Sequence, residues 1–370
     1  MQITKDGIQN SGKISFSSSS NEFYSEVKSR VAKYFQSKNI SVHADYRMVI
    51  KSIVLLGTFI GTYLLFYTGW MNIWQAWAAC FVLGICTAGI GFSVAHDAIH
   101  GSYTSNPKLN YGIGLSMNLI GGNNYVWSIT HNIIHHTYTN IHGYDEDLDV
   151  FPAAIRMSNN QERKPIHRIQ HFTAFLLYGL AVIFWVLFKD FKKIFQKQIG
   201  PYKVKKHPRK ELVVLFITKA IYYTYIFVLP IIFLPFAWWQ FMIGYMSIYL
   251  TGGMILGIVF QMAHVVEDLD YPMPTENGVI DNNWAIHQMH TTANFAMDNK
   301  IVNWFVGGLN FQVEHHLFPK VCHVHYPAIS KIVQQTAKDF NVPYHYNKTF
   351  RDAIRSHYRT LKQLGMPETA

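Results

Sequence analysis

"NIWQAWAACFVLGICTAGIGFSVAHDAIH", residues 72–100, runs without a charged side chain to Ala95 and then sets two histidines four positions apart. A helix rising about 1.5 Å per residue needs about 20 such residues to cross roughly 30 Å of hydrocarbon. Residues 72–95 are long enough, and the imidazoles of His96 and His100 come directly beyond them, on one face of a continuing helix. Three further blocks, 52–70, 213–235 and 237–263, are also almost free of charge. Trp70, Trp74, Trp77, Trp238 and Trp239 border the blocks, as aromatic belts border membrane spans. The expected fold is therefore all-α and integral to a membrane, with four transmembrane helices and a cytosolic helical cap that holds a histidine-rich di-metal site.

The net charge of +10 is concentrated: nine Lys and Arg lie between Lys189 and Lys210, whereas the links 69–71 and 234–236 carry none. The positive-inside rule puts the basic loop and both termini on the cytoplasmic side, in a bacterial inner membrane in preference to the endoplasmic reticulum. Attraction to anionic lipid headgroups accounts for the lysines between hydrophobic blocks, so no nucleic-acid partner is expected. Cys80, Cys86 and Cys322 suggest ordinary packing, not a disulfide framework. The first apolar block starts near residue 50, so no signal peptide is expected.

Residues 1–20 are polar and Ser-rich and read as disordered. Residues 21–45 follow, with Phe23, Val27, Val31 and Phe35 at four-residue spacing, an amphipathic helix suited to a membrane surface or to the cytosolic part of the same chain. Residues 46–345 form the membrane domain and 346–370 a cytosolic tail. If the histidine groups share one membrane face, the crossings between His136 and His315 must be even in number. The apolar stretch 172–188, followed at once by "KDFKK", is then expected to stay interfacial or cytosolic, and the Gly-rich stretch 109–120 to stay on the surface.

Nineteen of 370 residues are His, and three tight groups stand out: "HDAIH" at 96–100, "HNIIHH" at 131–136 and "VEHH" at 313–316. Imidazoles four apart on a helix can bite one metal, as His96 with His100 and His131 with His135. Neighbouring rings, His135 with His136 and His315 with His316, point about 100° apart and serve two adjacent metals better than one. His264, where the fourth span reaches the same face, brings the set to eight. Imidazoles suit Zn, Cu, Fe and Ni alike, so ligand type does not choose the metal. A transporter would place polar ligands near the bilayer midplane, whereas here the spans are apolar in the middle.

"HDAIH", "HNIIHH" and "QVEHHLFP" resemble the three histidine boxes of the membrane fatty acid desaturases, with "HTYTNIHGYDEDLD" and "HQMHTTANFA" extending the likeness over about residues 90–345. Gln312, at the head of the third box, resembles the front-end group, which inserts a double bond between an existing one and the carboxyl end. The resemblance implies two non-haem Fe ions on His96, His100, His131, His135, His136, His315 and His316, with His264 as the additional ligand outside the boxes. Gln312 would bind through water or only hydrogen-bond. It also implies O2 as co-substrate and a fatty acyl substrate carried on CoA, carrier protein or lipid, with a hydroxylase of the same metal family as the nearest alternative. The only His-Pro, at 207–208, lies outside any b5-like haem motif. A separate electron donor, a ferredoxin or cytochrome b5, is expected.

The physical need for metal is plain, because an unactivated methylene gives acid/base or nucleophilic side chains nothing to act on. Asp97, Asp145, Glu146, Asp147, Asp149, Asp268 and Glu314 are candidates to accept hydrogen bonds from the ligands' outer ring nitrogens. His287 and His290 are left open as neighbours of the site. His142, His167, His171, His207, His323, His325, His345 and His357 read as structural or surface residues.

Overall fold

The computed structural model describes residues 14–18, 21–148, 150–151, 153–203 and 206–367. The expectations for residues 1–13, 19–20, Asp149 and Lys205 lie outside the described residues. The protein is mostly helical, with only short two-stranded pairings such as Ala293–Phe295 beside His345–Asn347. Among the described residues, five helices are long and apolar enough to cross a membrane by length and composition: Tyr46–Leu65, Ile73–His100, Pro165–Ile194, Arg209–Phe233 and Trp238–His264. Four of them cover the expected spans.

Local chemistry starts and stops these helices. Asp45 accepts from the Arg47 backbone N–H at 2.9 Å to open the first. Asn72 and Gln75 form a reciprocal capping box that opens the second. That helix widens to a π-helix over Ile90–Ala95, carries His96 to His100, and ends at Gly101, whose φ of 75° suits a residue without a Cβ.

Glycine lets the helices meet at backbone distance. A Cβ on Gly84 would lie 2.5 Å from the Ile248 carbonyl oxygen, and one on Gly253 would lie 2.8 Å from the Gly179 Cα. Close approach of this kind is how apolar helices associate where no water is available to drive them together. The outward faces carry exposed Val49, Ile53, Ile60, Val213, Ile221 and Ile232, an apolar surface suited to lipid and not to water.

The helix Pro165–Ile194, expected to stay at the surface, meets the span criteria by length. Both of its ends are held by polar contacts. Near the start, the Gln170 side-chain amide donates to the carbonyls of Leu361 (2.7 Å) and Arg156 (3.0 Å); near the finish, Lys193 pairs with Glu146. Both ends are thus tied to the same polar segment after the second histidine group. Phe172, Leu176, Phe184 and Phe188 form an exposed apolar stripe along it.

The cap decides between two readings of one segment and revises the expectation for two others. The helix Glu22–Lys38 buries Phe23, Val27, Val31 and Phe35 against Ile329, Val333 and Ala337 of Tyr326–Asp339 instead of offering them to lipid. Ser15–Phe16, in the stretch expected to be disordered, pairs in parallel with Val279–Ile280, anchored by buried Ile14. The C-terminal segment is no loose tail, because the amphipathic helix Phe350–Gly365 packs Leu361 and Leu364 beside Tyr178 and Val265. The stretch 109–120 is divided: Leu109 is exposed, whereas Met117 and Ile120 enter the core beside Val94 and Tyr222.

Candidate metal centre

Four segments far apart in the chain converge at the cap. The first is the end of Ile73–His100; the second is a π-helix over Ser128–His135 that runs on into His136–Tyr138. The others are the end of Trp238–His264 and the short helix Gln312–Leu317. Wide π-turns next to the first two histidine groups are a frequent mark of functional sites.

The eight imidazoles form two sets. The ligand atoms of His96, His100, His131 and His315 lie within 4.8 Å of one another, and so do those of His135, His264 and His316. His136 stands between the sets, its ring 4.6 Å from that of His315 and 4.4 Å from that of His316. Neighbouring His315 and His316 go to different sets, as their divergence on a helix requires. The second pair differs from the simplest expectation, since His131 and His135 stack at 5.1 Å yet go one to each set.

Every ring is buried. Seven of the eight Nε2 atoms, those of His96, His100, His131, His135, His136, His315 and His316, have no hydrogen-bond partner. Leaving one buried polar atom unsatisfied costs about 1–3 kcal/mol, so seven together demand an explanation. Inward lone pairs held ready for cations supply it, and the residues present fit a two-metal centre.

The outer nitrogens are held from behind. His135 Nδ1 lies 3.0 Å from Asp145, and Asp147 stands 3.8 Å from the same atom. His316 Nδ1 donates to the Gln288 side-chain oxygen at 2.6 Å, and Thr139 donates to that oxygen as well. His315 Nδ1 faces the Tyr326 hydroxyl at 3.3 Å, and His264 Nδ1 the Thr291 carbonyl at 3.3 Å. Such partners fix the tautomer, and for His135, His315 and His316 they leave Nε2 free for metal. Gln288, Thr139 and Tyr326 were missed by the sequence reading, although Gln288 lies inside "HQMHTTANFA"; a neutral side chain carries no charge signal.

The other candidates divide. Glu146 serves Lys193, and Glu314 accepts from Asn294 (2.8 Å) and Tyr344 (2.9 Å) in place of a ligand ring. His290 pairs with Asp270 at 2.9 Å, away from both sets, and buried His287 packs on Phe16. His207 meets the Tyr125 hydroxyl, His325 the His43 carbonyl, and His357 both Tyr178 and the Val265 carbonyl. Gln312 sits at the second set, its amide nitrogen 2.9 Å from His264 Nε2.

Burial pushes His131 down to about 3, and burial followed by neighbouring imidazoles pushes His136, His315 and His316 well below the usual range. Burial also acts on His135, but the Asp145 carboxylate outweighs it and the net direction is up. His287 and His357, away from the ligand sets, are pushed down to about 4, chiefly by burial. A histidine with a lowered folded value binds its proton only on unfolding, so stability falls as pH drops through about 6.5 and continues to fall toward the folded value. Glu314 has the opposite sign: burial pushes it up to about 7, which favours the folded state at low pH. The raised His135 likewise favours the folded state at low pH, and the six lowered histidines outnumber these two groups. Metal-free protein is therefore expected to melt at a lower temperature at about pH 5.5 than at about pH 7.5. An equal or higher Tm at the acid pH would contradict this account of the rings.

A family model described as fatty acid desaturase matches residues 72–348, a range that takes in all three histidine groups and His264. The chain belongs to the fatty acid desaturase family. It is accordingly an oxidoreductase that introduces a double bond into a fatty acyl chain. Relatives align over nearly its whole length. It is 37% identical to an acyl-lipid (8-3)-desaturase of Physcomitrium patens, with 94% of this chain and 72% of the relative covered. It is 34% identical to an sn-1 linoleoyl-lipid 6-desaturase of Arthrospira platensis, with 94% of each covered. Against a protein of the same description from Synechocystis the identity is 35%, over 92% of this chain and 94% of the relative. As members of this family do, the desaturase acts on acyl substrates at a membrane, which its apolar helices suit.

Proposed function

We propose that this desaturase is a front-end enzyme acting on lipid-linked acyl chains, with two irons held by His96, His100, His131, His135, His136, His264, His315 and His316. The observation that carries the metal reading is the convergence of two imidazole sets with seven buried, unpartnered Nε2 atoms. The lipid-linked, front-end reading is supported by Gln312 at the head of the third box and by relatives named for acyl-lipid substrates. When bound, the irons would supply the O2-derived oxidant that removes hydrogen from two adjacent methylenes, with O2 ending as water.

The chain's own residues bind and orient. Asp145, Gln288, Tyr326 and Thr291 hold four ligand rings by their outer nitrogens, and Gln312 completes the second set through its amide, directly or through water. Trp127, stacked on His131 at 4.3 Å, and Phe260, 5.0 Å from His135, wall the site with apolar surface that excludes water. The topology follows from depth. The His135 and His264 rings are 4.7 Å apart, so the crossings between them must be even in number, and three long helices intervene. Pro165–Ile194, bound to the cap at both ends, is the one assigned to the interface. That leaves four spans in a membrane domain covering residues 46–345, with the centre on the cytoplasmic side beside the basic 189–210 region. A separate ferredoxin or cytochrome b5 would deliver electrons to this face, where positive charge steers acidic partners.

The test is expression in a host supplied with linoleoyl lipids, followed by location of the double bonds in its lipid classes. New unsaturation on the carboxyl side of an existing double bond, appearing first in glycerolipids, is the expected result. Unsaturation appearing first in acyl-CoA would refute the lipid-linked reading, and products that gain oxygen instead of losing two hydrogens would identify a hydroxylase.

A further inference from the structure

Beside the first histidine set, and outside it, lies a buried charged chain that the centre described above does not use. Lys51, near the start of Tyr46–Leu65, is only 3% exposed, and Asp97 only 1%. Burying an ammonium or a carboxylate is strongly unfavourable unless each finds partners. The two do not touch. His323 joins them: Lys51 Nζ lies 2.7 Å from His323 Nε2, and His323 Nδ1 lies 2.8 Å from Asp97 Oδ2. Asp97 Oδ2 also accepts from the Cys322 thiol at 3.0 Å and from the His323 backbone N–H at 3.3 Å.

The direction of each bond follows from what the groups can do. An ammonium only donates, so His323 Nε2 must accept. The proton of the neutral ring therefore sits on Nδ1 and is donated to the carboxylate. Lys51 thus decides the tautomer of His323, and that tautomer gives Asp97 a buried donor that keeps it anionic. The other carboxylate oxygen, Oδ1, lies 3.5 Å from His96 Nδ1, a charge beside the ring that makes no hydrogen bond to it. His96 Nε2 is one of the unpartnered atoms of the four-histidine set.

Asp97, Cys322 and His323 also lie close enough to suggest a cation site of their own. The lysine argues against it. A metal on His323 Nδ1 would force the proton onto Nε2, turning a donor toward the Lys51 ammonium and leaving a buried charge unpaired. The geometry points instead to Lys51 as a positioning residue: acting through His323, it aims the Asp97 carboxylate at the outer nitrogen of His96 and so strengthens metal binding at the four-histidine set. The inference rests on the two-metal reading above.

The test uses the full-length protein in detergent, stripped of metal and titrated with Co2+ against a chromophoric chelator. Wild-type protein is expected to take up two Co2+. Lys51→Met should weaken one of the two by about 10- to 100-fold, the usual cost of losing an outer partner of a ligand, while Lys51→Arg, still a cationic donor, stays within about threefold of wild type. A chain that takes up fewer than two Co2+ as wild type overturns the two-metal reading and this proposal with it. Two Co2+ in wild type with undiminished affinity in Lys51→Met overturns the proposal alone, as does a Lys51→Arg protein as weak as Lys51→Met. Should Lys51→Met fail to fold by circular dichroism, the double variant Lys51→Met/His323→Leu, which leaves no unpaired cation, decides by the same titration: one weakened Co2+ supports the relay and two unaffected ones overturn it.

Discussion

His315→Ala is expected to abolish desaturation, with product falling by at least about 100-fold, since loss of a mere outer partner of a ligand already costs 10- to 100-fold. The ring of His315 belongs to the four-histidine set and also lies 4.6 Å from that of His136, so its removal opens the centre where the two sets meet. The effect should be confined to metal and activity. His315 Nε2 has no partner among the described residues, so alanine gives up only the 3.3 Å contact with the Tyr326 hydroxyl, and the metal-free protein should still fold. His290→Ala is the control, because His290 pairs with Asp270 outside both sets and product should be unchanged. Product from His315→Ala at the wild-type level would remove His315 from the centre.

Gly253→Val is expected to prevent stable folding, for a reason remote from the chemistry. Any Cβ at this position would lie 2.8 Å from both the Cα and the carbonyl oxygen of Gly179, backbone atoms that cannot rotate away. The helices Trp238–His264 and Pro165–Ile194 would have to separate, and His264 would move with the first of them. Overpacking of a tight contact costs about 1–3 kcal/mol where side chains can yield, and backbone against backbone leaves less room to yield. The measurement is the yield of monodisperse protein in detergent and its Tm, with Gly57→Val as reference, since nothing lies within 4 Å of a Cβ there. Equal Tm for the two variants would contradict the close contact.

Much of the centre was legible from the chain because its signals are local. Eight histidines next to the ends of apolar blocks, with adjacent pairs diverging by about 100°, already implied two ions. The residues behind the rings were not legible. Gln288, Thr139 and Tyr326 have no charge and no spacing that marks them, and His323 looked like an ordinary buried ring until Lys51 and Asp97 were found on either side of it. Glu314, which proximity in sequence recommended, turns to Asn294 and Tyr344 instead of a ligand ring. Closeness along the chain does not determine which way a carboxylate faces.

By itself, the sequence determined the class of the molecule: helix length against bilayer thickness, uncharged runs and the positions of the imidazoles are properties that neighbours along a chain impose through 3.6-residue periodicity and the cost of burying charge. Only the tertiary structure decided which ring joins which set, that His131 and His135 go to different sets, that the helix Pro165–Ile194 is tied to the cap at both ends, and that Lys51 reaches Asp97 through His323. Those outcomes depend on backbone contacts at Gly84, Gly179 and Gly253 and on the phase of two π-helical turns, which bring together groups more than 200 residues apart; no local periodicity encodes a distance of that kind.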